Sequence, residues 1–291
     1  MPETPARPIT RFDDGVVTRV IDHLTEEEPL EVRVRGRSIG VTMRTPGDDE
    51  DLAVGFLLTE GIVRKPADVL RVEPCTRNDF GNVINVLLAP DVHVDFDRLT
   101  RHVFASSSCG LCGKSSVEAV RGNFPAVSST WTVDAGVILS LPDKMRPAQS
   151  SFDRTGGLHA ACLFSPGGDL LVTREDVGRH NAVDKVIGHA VRSGSVPTRD
   201  CVLMVSGRTS FEIVQKAVAA GIPVVASVSA PSSLAVDFAN EVGITLIGFV
   251  RGGRMNVYTG AGRVVLAGVA TLVATGLVLA NDGRPPQPRV E

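Results

Sequence analysis

Two cysteines separated by two residues, Cys109 and Cys112, are the part of this sequence best equipped for chemistry. They lie in Ser106-Ser107-Ser108-Cys109-Gly110-Leu111-Cys112-Gly113-Lys114-Ser115-Ser116, where serine and glycine suit an accessible loop rather than an apolar burial site. Ser115 and Ser116, followed by Val117-Glu118-Ala119-Val120, read as a capped helix start. A thiol just ahead of a helix N-terminus, with Lys114 nearby, is expected to have a depressed pKa. Thiolate is the form that attacks sulfur. Three chemistries fit the pair. A zinc site needs two more ligands, yet Cys75, Cys162 and Cys201 are isolated and the six histidines are scattered. A thioredoxin-type dithiol belongs near the start of a βαβ unit, whereas this pair precedes the α/β region. Persulfide carriage needs one exposed nucleophilic thiol, and a neighbour can help release or relay the sulfur. Residue types alone leave redox exchange and sulfur transfer level, with zinc third.

A second constellation lies where strands give way to helices. After Thr173 comes Arg174-Glu175-Asp176-Val177-Gly178-Arg179-His180-Asn181, and after Val205 comes Ser206-Gly207-Arg208-Thr209-Ser210. After Val228 comes Ser229-Ala230-Pro231-Ser232-Ser233, and after Val250 comes Arg251-Gly252-Gly253-Arg254-Met255-Asn256. If the four strands run parallel, these loops share one rim, the usual ligand edge of an open α/β sheet. Glycine admits a close backbone, helix N-termini attract anions and arginine grips phosphate. The expected ligand is anionic, a pyrophosphate or nucleotide. Helix caps and turns would explain any single loop, but four on one edge favour binding. No Walker A or Rossmann fingerprint is present. Glu175, Asp176 and His180 are equally open to acid/base work and to helix-end electrostatics. His159, in Thr155-Gly156-Gly157-Leu158-His159, reads first as a half-buried strand histidine. Cys75, Cys162 and Cys201 read as core.

These residues need elements to position them. The chain has 291 residues, 43% hydrophobic and 22% charged, enough for a sizeable core. A net charge of −3 and a pI near 6.1 give nucleic-acid binding no support. Residues 1–12, with three prolines, are expected to be disordered. Residues 13–130 read as an α+β region: strands within 14–45, a helix after the acidic run Asp48-Asp49-Glu50-Asp51, strands near 68–74 and 82–89, and the cysteine loop at 106–115. Residues 131–260 read as an α/β domain. A hairpin joins Leu158–Phe164 to Leu170–Thr173, and helix Arg179–Val191 follows. Strands at Cys201–Val205, Val224–Val228 and Thr245–Val250 then alternate with helices at Phe211–Ala220 and Leu234–Val242. Residues 261–291 form an apolar extension and tail. Its uncharged run 264–280 is read as a buried helix or dimer contact rather than a membrane span. The sparse, odd cysteine count and the absence of an apolar leader favour the cytoplasm.

Together these motifs resemble the FdhD family of formate dehydrogenase accessory sulfurtransferases. The matching stretches are Ser108–Gly113, Thr155–His159, Glu175–Lys185, Ser206-Gly207-Arg208 and Phe249–Arg254, in the family's order and spread over roughly residues 14–260. The resemblance implies a sulfurtransferase of molybdenum cofactor biosynthesis. Such a protein takes sulfur from a cysteine desulfurase as a cysteine persulfide and passes it to the molybdenum bis-(molybdopterin guanine dinucleotide) cofactor of formate dehydrogenase. It implies Cys109 as the persulfide carrier, Cys112 as its partner, and Phe249, Val250, Arg251, Gly252, Gly253 and Arg254 as the cofactor-binding segment. Ser206, Gly207, Arg208, Arg179 and His180 complete the candidate binding set, which could also take a guanine nucleotide analogue; no zinc is expected. A homodimer is implied, as is a cytidine-deaminase-like three-layer α/β/α domain with a mostly parallel sheet beside a smaller N-terminal α+β domain. Deaminase chemistry itself fails on residues. It needs H-x-E and then P-C-x-x-C, but Ala160-Ala161 follow His159, and the cysteine pair precedes that histidine without a leading proline. The rival readings are a non-catalytic cofactor chaperone for formate dehydrogenase and a thiol redox protein.

Overall fold

The computed structural model describes residues 4–75, 81–96, 124–196 and 198–266. It opens with an antiparallel hairpin of β1 (Ala6–Asp13) and β2 (Val16–His23). Asp14 and Gly15 turn the chain at φ 43° and 81°, the left-handed pair that a tight two-residue turn requires. Part of the terminus expected to be disordered is therefore strand. Pro8 does not prevent this because β1 pairs on one side only, so its missing N–H can face the free edge.

The next layer is a four-stranded sheet of β3 (Glu28–Val34), β4 (Arg37–Arg44), β5 (Val69–Pro74) and β6 (Val83–Leu88), in the order β4-β3-β6-β5. Between β4 and β5 runs α1 (Asp49–Thr59), with Asp49, Glu50 and Asp51 in its first turn, where the helix dipole favours them. Alternate residues Leu30, Val32 and Val34 of β3 join Ile84 and Val86 of β6 and Leu52, Leu57 and Leu58 of α1 in one apolar cluster. Burying each such side chain contributes about 1.5–3 kcal/mol.

The larger layer follows β7 (Val133–Asp134), α2 (Ala135–Met145) and α3 (Ser150–Thr155). It comprises β8 (His159–Phe164), β9 (Leu170–Asp176), α4 (Arg179–Arg192), β10 (Val202–Val205), α5 (Phe211–Ala219), β11 (Val224–Ser227), α6 (Ser233–Glu241), β12 (Thr245–Arg251) and β13 (Arg254–Val257). The six strands lie in the order β13-β12-β11-β10-β8-β9. Period-two alternation splits their side chains between two faces. Ala161, Leu163, Leu203 and Val205 pack with Val183 and Val186 of α4 and Val214 of α5. Cys162, Phe164, Val202 and Met204 pack with Ile138, Leu141 and Met145 of α2. The result is three layers, α/β/α.

The sheet is mixed rather than mostly parallel. Only β10–β11 and β11–β12 are parallel neighbours; β8 lies antiparallel to both β9 and β10, and β13 antiparallel to β12. The cause is local: β8–β9 and β12–β13 are hairpins, and a short connection can join only antiparallel strands. Two reversals restore the direction of β9, so β9, β10, β11 and β12 end on one edge.

The two sheet layers meet where α1 crosses α4 with backbone against backbone. A Cβ at Gly55 would lie 1.8 Å from the Asp184 carbonyl oxygen, and one at Gly188 would lie 1.7 Å from that of Asp51. The same apolar cluster runs through both layers. At the far end, Val264–Val265 form β14, parallel to β7, and Arg263 donates to Ser129 O and Thr245 Oγ1. The apolar run expected as a helix therefore starts as a strand; its residues 267–280 lie outside the described ones. Among the described residues no helix is long and apolar enough to cross a membrane.

Candidate functional site

The common edge gathers most of the residues expected there. His159, first in β8, pairs with Asp176, last in β9. Ala160 N donates to Ser206 Oγ at 2.9 Å, and Ser206 N to Ala160 O at 2.9 Å. Ser206 is thus a strand clasp. A Cβ on Gly207 would come within 3.1 Å of His159 Nδ1, so glycine here makes room for the imidazole. The next loops are laced in sequence: Thr209 N to Ala230 O at 3.1 Å, Ser232 N to Thr209 O at 3.0 Å, and Phe249 N to Ser229 O at 3.1 Å.

The segment from Phe249 to Arg254 is a bulged hairpin end. Gly252 and Gly253 form its two-residue turn at φ 56° and 70°, and Arg251 pairs with Arg254. Phe249 also sits at φ 54°, a left-handed conformation that costs a non-glycine residue of order 1 kcal/mol or more. The Arg251 guanidinium lies over its ring, 5.6 Å from the centroid. Val250 points into the α2 face and is fully buried, so only its backbone is available to a ligand. This segment stands two strands from the Ser206–Arg208 loop, about 10 Å away.

Electrostatics mark the other half of the rim. Burial first, then the charges of Arg179 and Arg208, hold the His159 pKa below its ordinary value, against Asp176. Burial, then Lys216 and Arg179, push His180 down to about 3. Both imidazoles are therefore neutral near pH 7, and the positive field comes from arginine. Among the described residues, two buried side-chain polar atoms have no hydrogen-bond partner, Arg179 Nε and Thr209 Oγ1. Both belong to rim loops. Buried polar groups are normally satisfied, so two orphans on one edge point to something that binds there.

Most of the Glu175–Lys185 stretch does different work. Asp176, fully buried, pairs with Lys185 at 2.8 Å and accepts from Thr45 N, Gly178 N and Asn181 Nδ2. Asn181 Nδ2 also donates to Met43 O at 2.7 Å, and Lys185 Nζ to Thr45 O at 2.9 Å. Glu175 accepts from Ser151 N and Phe152 N, at the start of α3. Asp184 meets Lys216 at 2.8 Å and Thr59 Oγ1 at 2.9 Å. These contacts bind α4 to β4, α1 and α5. Of the three acid/base candidates, only His180 retains a place on the rim.

Sequence reasoning missed Ser210, Thr209 and Lys216 as individuals. Lys216 had one local signal, Glu212 four residues earlier on the same helix; they stand 3.6 Å apart. Cys109 and Cys112 lie outside the described residues. Of the other cysteines, Cys162 is buried and its thiol is pushed up to about 11 by burial, and burial also raises Cys201. Neither is suited to nucleophilic attack. Among the described residues no group of three or more His, Cys, Asp or Glu could hold a metal ion.

Fold and rim together define an α/β protein with an arginine-bearing sheet edge. The chain belongs to the FdhD/NarQ family, whose model matches residues 25–265. It is 50% identical over 280 residues to the sulfur carrier protein FdhD of Streptomyces avermitilis, covering 92% of this chain and 98% of that one. It is 52% identical over 261 residues to the protein of the same name from Mycobacterium tuberculosis, covering 86% and 94%. A crystal structure from Desulfotalea psychrophila, of a protein assigned as a formate dehydrogenase accessory protein, superposes with a TM-score of 0.75 at 25% identity, covering 91% of this chain and all of that one.

Proposed function

We propose that this protein is a sulfurtransferase that carries sulfur as a persulfide on Cys109 from a cysteine desulfurase to a molybdenum bis-(molybdopterin guanine dinucleotide) client destined for formate dehydrogenase. The observation that carries this reading is the rim. Its arginines and its orphan Arg179 Nε and Thr209 Oγ1 suit a phosphate-bearing client, in a chain matched to sulfur carriers along most of its length. The guanine dinucleotide half would lie along the edge, from Arg179 and Arg208 toward Arg251 and Arg254, and a guanine nucleotide analogue would occupy part of it. The layered domain is read as cytidine-deaminase-like in architecture alone.

Cys109 thiolate attacks the outer sulfur of the desulfurase persulfide, a sulfur–sulfur bond forms on Cys109, and the desulfurase thiolate leaves. For release, Cys112 thiolate attacks Cys109 Sγ and expels hydrosulfide. The two thiols are oxidised to a disulfide as the carried sulfur gains two electrons, and two equivalents of an external thiol then reduce it and leave as their own disulfide. The carrier works in the cytoplasm as a homodimer.

Mass spectrometry after incubation with a desulfurase and cysteine tests the assignment. A single-sulfur adduct on Cys109 is expected, and an adduct that persists in Cys109→Ala sinks it. The rival chaperone reading predicts that Cys109→Ala still supports dehydrogenase activity.

A further inference from the structure

Ser210 is the N-cap residue of α5 and has the extended backbone of a capping position, φ −88° and ψ 170°, yet its side chain makes no capping bond. Its Oγ lies 3.1 Å from His180 Nε2 instead. One loop away, Ser232 has nearly the same backbone, φ −83° and ψ 158°, and caps α6 by accepting from Ala235 N at 3.2 Å. Residue type and conformation match, so the difference lies in the histidine. A serine cap ordinarily stabilises a helix, and α5 forgoes it.

His180 is held firmly in this role. It is 6% exposed, and its Nε2 is also 3.4 Å from Glu212 Oε2. Glu212 Oε1 stands 3.6 Å from Lys216 Nζ, which is fixed in turn by Asp184 at 2.8 Å and Thr59 Oγ1 at 3.2 Å. A carboxylate facing Nε2 favours the tautomer with its proton there, so His180 donates to Ser210 Oγ. Because Ser210 and Glu212 both address the same ring nitrogen, the trio is not a nucleophile–base–acid relay, which needs both nitrogens. Directly ahead of Ser210, Thr209 is 1% exposed and its Oγ1 has no partner. An uncapped helix N-terminus beside an orphan buried hydroxyl is completed by an oxyanion.

We infer that His180 is a positioning residue. By drawing the Ser210 hydroxyl away from α5, it leaves the first-turn amides of that helix, beside the unpartnered Thr209 Oγ1, to a phosphoryl oxygen of the ligand. The inference rests on the rim reading above and adds how the rim is kept receptive.

Calorimetric titration of the full chain with GDP, and with inorganic pyrophosphate, tests it. Ser210→Ala binds GDP as the unaltered chain does. His180→Ala frees Ser210 to cap α5 and weakens GDP by about tenfold. The double replacement His180→Ala/Ser210→Ala, which has no cap to form, returns to within about threefold of the unaltered chain. His180→Gln, whose amide can still donate to Ser210, retains binding and guards against a folding defect in the alanine variant. The inference is overturned if the double variant binds as poorly as His180→Ala, or if His180→Ala binds normally. An unaltered chain that takes up neither GDP nor pyrophosphate is a separate failure: it removes the rim reading on which the inference stands.

Discussion

The stretch from Glu175 to Lys185 feeds two regions that treat polar groups in opposite ways. On the seam between α4, β4 and α1, Asp176, Asn181, Asp184 and Lys185 are buried and each has partners of opposite charge or complementary hydrogen bonding. On the rim, Arg179 Nε is buried without a partner, as is Thr209 Oγ1 across the edge. One run of residues therefore mixes groups that hold the fold with a group left unsatisfied. Position in the sequence does not separate them; satisfaction does.

The largest effect should come from breaking the seam. Lys216→Met leaves Asp184 buried without its cation and is expected to cost about 3–5 kcal/mol in denaturant unfolding, while Asp184→Asn/Lys216→Met together recover much of that loss. The rim should behave differently. Arg179→Gln is expected to change stability by less than about 0.5 kcal/mol and to weaken GDP binding by about tenfold. If it unfolds the protein as Lys216→Met does, the contrast between the regions is wrong. Thr209→Val keeps the shape and removes the orphan hydroxyl. It should leave stability unchanged or raise it by up to about 1 kcal/mol, with a loss of GDP affinity of about threefold.

The pH dependence supplies a further contrast. Burial and neighbouring cations set the His180 pKa at about 3, against an ordinary 6.5. As pH falls, the unfolded chain takes up a proton below about 6.5, but the folded chain resists until about 3. Stability from this group is full above 6.5 and drains away through that window, so His180→Asn should show a shallower decline in unfolding free energy between those pH values. An unchanged slope would mean that the imidazole is not shielded as described.

Local pattern foretold most of the sheet strands and α1, α4, α5 and α6, because each announced itself within a few residues, but it passed over α2 and α3. The alternation of Glu31-Val32-Arg33-Val34-Arg35 announced β3, and the shared face of Ala182, Val183, Val186, Ile187 and Ala190 announced α4. The four loops on one edge were also foreseeable, since strand–loop–helix order is local. The insertion of β8 between β9 and β10 was not, because neighbour choice in a sheet is decided by packing across the chain. β1 was hidden by Pro8 and the two prolines ahead of it. The seam was invisible for a further reason: Asp184 meets Thr59, and Lys185 meets Thr45, across long stretches of chain that leave no periodic trace. The diversion of Ser210 could not be read either, since Ser210 and Ser232 look alike until His180 is seen beside one of them.

The crossing of α1 on α4 limits how this molecule can move. With the Gly55 and Gly188 backbones in contact with the opposing helix, neither helix can roll or slide without a collision that has no side chain to absorb it. The four-stranded and six-stranded layers therefore travel as one rigid body rather than as two lobes opening about a hinge. The rim is thereby held in a fixed orientation toward the N-terminal layer.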